Sequence, residues 1–131
     1  MRRYVRRMTE AELHKLIVDY LQVVLPSGSV VHHSPNEGRH KVAYRAKQKR
    51  LGMRAGWPDL EVFVQRTWWC EGQTWSPIFL EIKTPKGRVS PAQKAVHAEL
   101  QAAGCAVNVV RSVEDVAQVL DSYLTTSSGG D

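Results

Sequence analysis

The feature that most constrains this chain is a helix marked at both ends and set between two β-prone runs. Ser90 is a good N-cap, Pro91 suits the first helical position and Gln93 completes a capping box, so a helix is expected over 91–103. Gly104 is a natural stop. The runs 78–83 and 106–110 on either side have strand character, and Ser112 opens a last helix through about residue 124. A chain that alternates in this way folds as α/β, with helices laid on a sheet.

The remaining segments fit the same architecture. Over 9–24, Leu13, Leu16, Ile17, Tyr20, Leu21 and Val24 recur at the spacing of one helix face. Thr9 with Glu12 forms a capping box at the start, and Pro26, Ser27 and Gly28 end the helix. Residues 29–32 are β-branched and strand-like, and Ser34 to Gly38 has turn composition. A basic stretch follows, helical over about 42–51 or else a loop. Residues 59–65 have β character, and 67–77, with Trp68, Trp69, Gly72 and Trp75, suggest a hairpin extension or a short excursion before the next strand. The expected fold is a mixed central sheet flanked by helices. At 131 residues with 43% hydrophobic content the chain suits one domain. We divide it into a basic arm at 1–8, a domain at 9–124 and a Ser/Gly-rich tail at 125–131.

No apolar run is long enough to span a membrane, and the N-terminus lacks the apolar stretch of a secretory signal. A soluble, cytoplasmic protein with no membrane partner is expected. Cys70 and Cys105 belong to no CxxC pair, so reduced thiols are expected. His32, His33, His40 and His97 match no standard zinc spacing, and His97 follows a helical pattern.

Basic residues outnumber acidic ones by 18 to 13, and their placement says more than the +5 balance. Arg2, Arg3, Arg6 and Arg7 crowd the first seven positions. Arg39, Lys41, Arg45, Lys47, Lys49, Arg50 and Arg54 lie in a stretch without an acid between Glu37 and Asp59. Two such blocks in a short chain suit a surface that neutralises phosphates, against the plainer reading of a solvated face. We count Lys86, Arg88 and Asn36 with this nucleic-acid-facing set, although Asn36 also suits an Asx turn.

The chemistry-bearing residues lie between the blocks. Pro58 has no amide to donate and sits comfortably where a strand begins, which places Asp59 at the mouth of the sheet. Glu81 and Lys83 follow 22 and 24 residues later and share one strand face, while Ile82 points the other way, into the core. Two acids and an ammonium therefore converge. A phosphodiester resists hydroxide because its negative charge repels the nucleophile. Carboxylate oxygens holding Mg²⁺ or Mn²⁺ answer that problem by activating water and screening the phosphoryl oxygens. A lysine beside them can orient or deprotonate the water or stabilise the transition-state charge.

Beyond these few residues, the chain resembles the VRR-NUC family within the PD-(D/E)xK nuclease superfamily, over about 9–119. The likeness rests on Thr9-Glu10, on Ser34 to Gly38, on Gly52 to Leu60 with its Gly56-Trp57-Pro58-Asp59 core, and on Phe79 to Lys83. Gly87 to Gln93, His97, Gly104 and Val109 to Ser112 complete it. The resemblance implies a restriction-endonuclease-like core and a metal-dependent endonuclease acting on branched or flapped DNA. It places such a protein in phage or bacterial replication and repair. It further implies Asp59 and Glu81 as metal ligands, the Ile82 carbonyl as a third oxygen donor and Lys83 as the catalytic lysine. The family also places an acid on the first helix. Glu10 lies roughly 50° from the centre of the apolar stripe and Glu12 about 110° away, so Glu10 is our choice. Gln93 matches a glutamine often found beside such sites, with the capping box as the competing role. Trp57 stands where the family has a smaller residue and could stack on an unpaired base. A homodimer is expected, since a two-fold enzyme suits a two-fold junction. A DNA-binding module without turnover, or a partner-binding protein with merely solvated basic faces, are the rival classes.

Overall fold

The computed structural model describes residues 6–35 and 42–124. Asn36, Arg39, Lys41, the first five residues and the 125–131 tail lie outside the described residues. Among those described, four strands form one sheet in the order β1-β2-β3-β4: β1 (Val30–His33), β2 (Leu60–Phe63), β3 (Ile78–Ile82) and β4 (Ala106–Val110). β1 pairs antiparallel with β2 and β2 antiparallel with β3, whereas β3 and β4 run parallel. The parallel pair is the consequence of the helix between them, since antiparallel strands need only a tight turn and parallel ones a crossover. The sheet is mixed, as expected.

Helices α1 (Glu10–Val24) and α4 (Val113–Tyr123) cover one face. Leu13, Ile17 and Leu21 of α1 meet alternate strand residues Leu60, Val62, Ile78, Leu80, Ile82 and Val110, with Val116 and Leu120 of α4 closing the cluster. This is the main core. Alternation then turns Phe79 and Glu81 to the opposite face, where α3 (Pro91–Ala102) lies with Val96 and His97 buried. Helix α2 (Val42–Arg50) buries no residue.

Element boundaries differ from expectation for local reasons. β1 begins at Val30 because Ser29 completes a turn, its amide donating to the Pro26 carbonyl and its hydroxyl accepting from Gln65 N. The 67–77 segment is an excursion and not an extended hairpin. A 3₁₀ turn (Arg66–Trp68) is capped by the Gln65 side chain, and Trp69 bridges to Leu124. Trp68 and Trp69 pack on the core edge, and Trp75 Nε1 donates to the Val64 carbonyl at 3.0 Å. One expected core residue stays out: Leu16 is 43% exposed. No helix among the described residues is long and apolar enough to cross a membrane.

Candidate active site

One end of the sheet gathers the chemistry. β1 and β3 end there, β2 begins there and β4 delivers Arg111 and Ser112 to it. The N-termini of α1, α3 and α4 open toward the same end, capped by Thr9, Ser90 and Ser112. Their unpaired amides carry partial positive charge and favour anions nearby.

Asp59 immediately precedes β2 and is fixed by the neighbouring strand: its Oδ2 accepts from Ile82 N at 2.7 Å. The turn that delivers it depends on Gly56, whose φ of +87° is open to glycine. A Cβ at that position would stand 2.6 Å from the Ala92 backbone, so the turn is pressed directly against the first turn of α3. Pro58 is fully buried, and Trp57 packs edge-to-face on Phe79 with ring centres 5.6 Å apart. Packing accounts for the placement of Trp57.

Glu81 is 1% exposed. Its Oε1 shares a 3.0 Å hydrogen bond with His97 Nε2, and its Oε2 accepts from Gln93 Nε2 at 3.3 Å. Burial, then a hydrogen bond and like charge from Asp59, push its carboxyl up to about 9, with Glu10 adding to the rise and Lys83 opposing it. His97 shifts the other way, lowered mainly by burial and by the Lys83 charge. Both shifts act against charge on this pair: burial and Asp59 favour the protonated carboxyl, and burial and Lys83 favour the neutral imidazole.

Gln93 makes the capping contact and a contact with Glu81 at once. Its Oε1 accepts from Ser90 N at 2.8 Å in the capping box, which leaves Nε2 free for Glu81. His97 is the residue that periodicity placed only on a helix. One helical turn after Gln93, it reaches the same carboxylate, a pairing visible in i, i+4 spacing only once Glu81 is known to face α3.

Glu10 and Asp59 line one groove together with His14, Lys15 and His33. Glu12 is committed elsewhere, to the capping box and to Arg6, whose guanidinium binds it at 2.6 and 3.0 Å. His33 Nδ1 lies 2.8 Å from the Asp59 carbonyl, and His14 packs edge-on to His33. Lys83 extends β3, its amide donating to the Val110 carbonyl at 3.0 Å, with the side chain partly exposed. Arg45, Lys47, Lys49 and Arg50 are exposed on α2, and Lys86 and Arg88 are exposed after β3. Arg54 is paired with Glu99 of α3.

No set of three His, Cys, Asp or Glu side chains stands in metal-binding geometry among the described residues. The pair Asp59 and Glu81 is nonetheless a donor set suited to a hard divalent cation, which takes one or two carboxylates and completes its shell with water. Two carboxylates forced together, one of them pushed to about 9, are the electrostatic situation that such a cation relieves.

The VRR-NUC domain model matches residues 3–114. The chain belongs to the VRR-NUC domain family. A solved structure described as a VRR_NUC domain protein is similar at 26% identity and a TM-score of 0.70, covering 93% of this chain and 94% of its own. A second, described as a VRR_NUC domain, is 22% identical with a TM-score of 0.55 over 86% of this chain and 94% of its own, and supports the fold alone. No curated protein matches the sequence. This VRR-NUC domain has the restriction-endonuclease-like α/β fold, a nuclease-type architecture, and at family level it stands among hydrolases.

Proposed function

We propose that the chain is an Mg²⁺- or Mn²⁺-dependent endonuclease that hydrolyses phosphodiester bonds in branched or flapped DNA. The observation that carries this reading is the convergence of Asp59 and buried Glu81 at one sheet end, with Lys83 two residues on. Asp59 and Glu81 would hold the cation with the Ile82 carbonyl as a further oxygen, and Glu10 would face it from α1. Bound there, it would supply a nucleophilic water and charge neutralisation at the phosphoryl group.

The protein's own groups prepare that chemistry. The Ile82 amide fixes one Asp59 oxygen, while His97 and Gln93 fix both oxygens of Glu81, so neither carboxylate must be ordered when substrate arrives. Lys83 brings the cation that can position water or stabilise the phosphorane-like charge. Three helix N-termini add positive potential around the scissile phosphate. The exposed cations of α2, with Lys86 and Arg88, would track the flanking backbone. A homodimer would present two such centres to a four-way junction, in phage or bacterial replication or repair.

The test is cleavage of labelled four-way junction, 5′-flap and plain duplex DNA with Mg²⁺ or Mn²⁺, comparing wild type with Asp59→Ala. Metal-dependent cutting that disappears in the variant is the expected result. Salt-sensitive binding without cutting on any of the three would identify a DNA-binding module, and sedimentation of the protein alone decides the dimer.

A further inference from the structure

The apolar stripe of α1 is not fully used by the core. Leu16 is 43% exposed and Met8 45% exposed, and with Leu13 they wall a cleft of about 570 Å³. The opposite walls are Pro85, in the turn that follows Lys83, and Val113, at the start of α4. Arg7 and Lys86, both exposed, also line it. The volume lies within the range of small-ligand sites.

The cleft is built in advance. Arg111 Nη1 donates to the carbonyls of Thr84 and Gly87, both at 2.7 Å, and so clamps the turn carrying Pro85 and Lys86. The Gly87 amide closes the same turn on the Thr84 carbonyl at 2.9 Å. Arg111 holds the wall through Nη1, and Arg7 and Lys86 are further cations on the lining. Glu114, also on the lining, offsets the positive α4 N-terminus there, which leaves the Arg7 and Lys86 side for an anion.

The position decides the occupant. The cleft lies on the α1 and α4 face at the end of the sheet where Asp59 stands, and its Pro85 wall begins two residues after Lys83. A ligand that suits this lining has an apolar body and an attached anion. We infer that the cleft holds an unpaired nucleobase next to the scissile site, its phosphate lying between Arg7 and Lys86. Paired bases are stacked inside the duplex and cannot enter, so the cleft selects branched DNA over plain duplex. This inference rests on the nuclease reading and supplies its specificity element.

The experiment is equilibrium titration of wild-type protein with a fluorescein-labelled 5′-flap DNA in Ca²⁺, with each unpaired nucleotide nearest the branch replaced singly by an abasic one. Loss of the apolar base contact at one position should weaken binding roughly 5-fold or more. Leu16→Glu, at an exposed position, should bring flap and duplex affinities toward each other and erase the effect of that abasic nucleotide. Insensitivity at every position, or an unaltered flap-to-duplex ratio in Leu16→Glu, would overturn the inference. A shift of Leu16→Glu from dimer to monomer without abasic sensitivity would assign the cleft to a second copy of the chain instead. The titration needs no turnover, so absence of cleavage would refute the nuclease reading without deciding this one.

Discussion

Gly56→Ala separates conformational strain from the packing that assembles the site. At φ +87° an alanine costs about 1–2 kcal/mol in backbone conformation alone. Its Cβ would also stand 2.6 Å from the Ala92 carbonyl carbon and oxygen and 2.8 Å from Gln93 N. Those are backbone atoms in the capped first turn of α3 and have no rotamer through which to escape. Overpacking of this kind adds about 1–3 kcal/mol, so the loss should total about 2–5 kcal/mol. Gly52→Ala is the internal control, because φ there is +101° but nothing lies within 4 Å of its Cβ. Urea unfolding should show Gly52→Ala down by about 1–2 kcal/mol and Gly56→Ala down by clearly more. Cleavage by the folded fraction should fall only in Gly56→Ala, since relief of the clash moves Gln93 away from Glu81 or Asp59 away from both. Equal destabilisation in the two variants, or full activity in folded Gly56→Ala, would refute the argument that this contact sets the geometry.

Further outcomes follow from the site's electrostatics and its partners. His97→Ala should lower cleavage roughly 10- to 100-fold and raise the Mn²⁺ concentration needed, with His97→Gln partly restoring both; unchanged metal dependence would remove His97 from the positioning of Glu81. Because Glu81 sits at about 9 when metal-free, the folded state binds its proton more tightly than the unfolded chain. The resulting stability is full below the ordinary glutamate range and is lost as pH rises toward 9. Melting curves in EDTA should therefore fall over that window, less so in Glu81→Gln, with Asp59, Glu10, Lys83 and His97 as the charged or titratable neighbours. A rising or flat profile attributable to Glu81 would contradict the assignment. Replacing Arg45, Lys47, Lys49 and Arg50 by alanine should flatten the log–log salt dependence of duplex binding by up to roughly 3–4, and an unaltered slope would place the DNA elsewhere.

Much of this was legible in the chain because it is local. The ends of α1 and α3 follow from capping boxes, and the faces of β3 follow from alternation, which put Ile82 in the core and Glu81 opposite. The choice of Glu10 for the groove rests on helix geometry, and Glu12 was accounted for by its cap. What could not be read was tertiary. The contact of His97 with Glu81, the clamp of Arg111 on the 84–87 turn and the exposure of Leu16 each depend on where distant elements dock. Periodicity correctly placed Leu16 on the apolar face but could not show that no element covers it. The 67–77 segment was ambiguous because its side-chain pattern reports on packing against Leu124 and Tyr123, more than fifty residues away along the chain in the case of Trp69.

The most direct test of the proposed hydrolytic centre is single-turnover cleavage of the preferred DNA, measured with Mn²⁺ binding, for wild type, Asp59→Ala and Lys83→Ala. Asp59→Ala should lose both metal binding and cleavage. Lys83→Ala should keep Mn²⁺ and DNA binding while its cleavage rate falls roughly 100-fold or more. Wild-type cleavage rates in either variant would contradict the account.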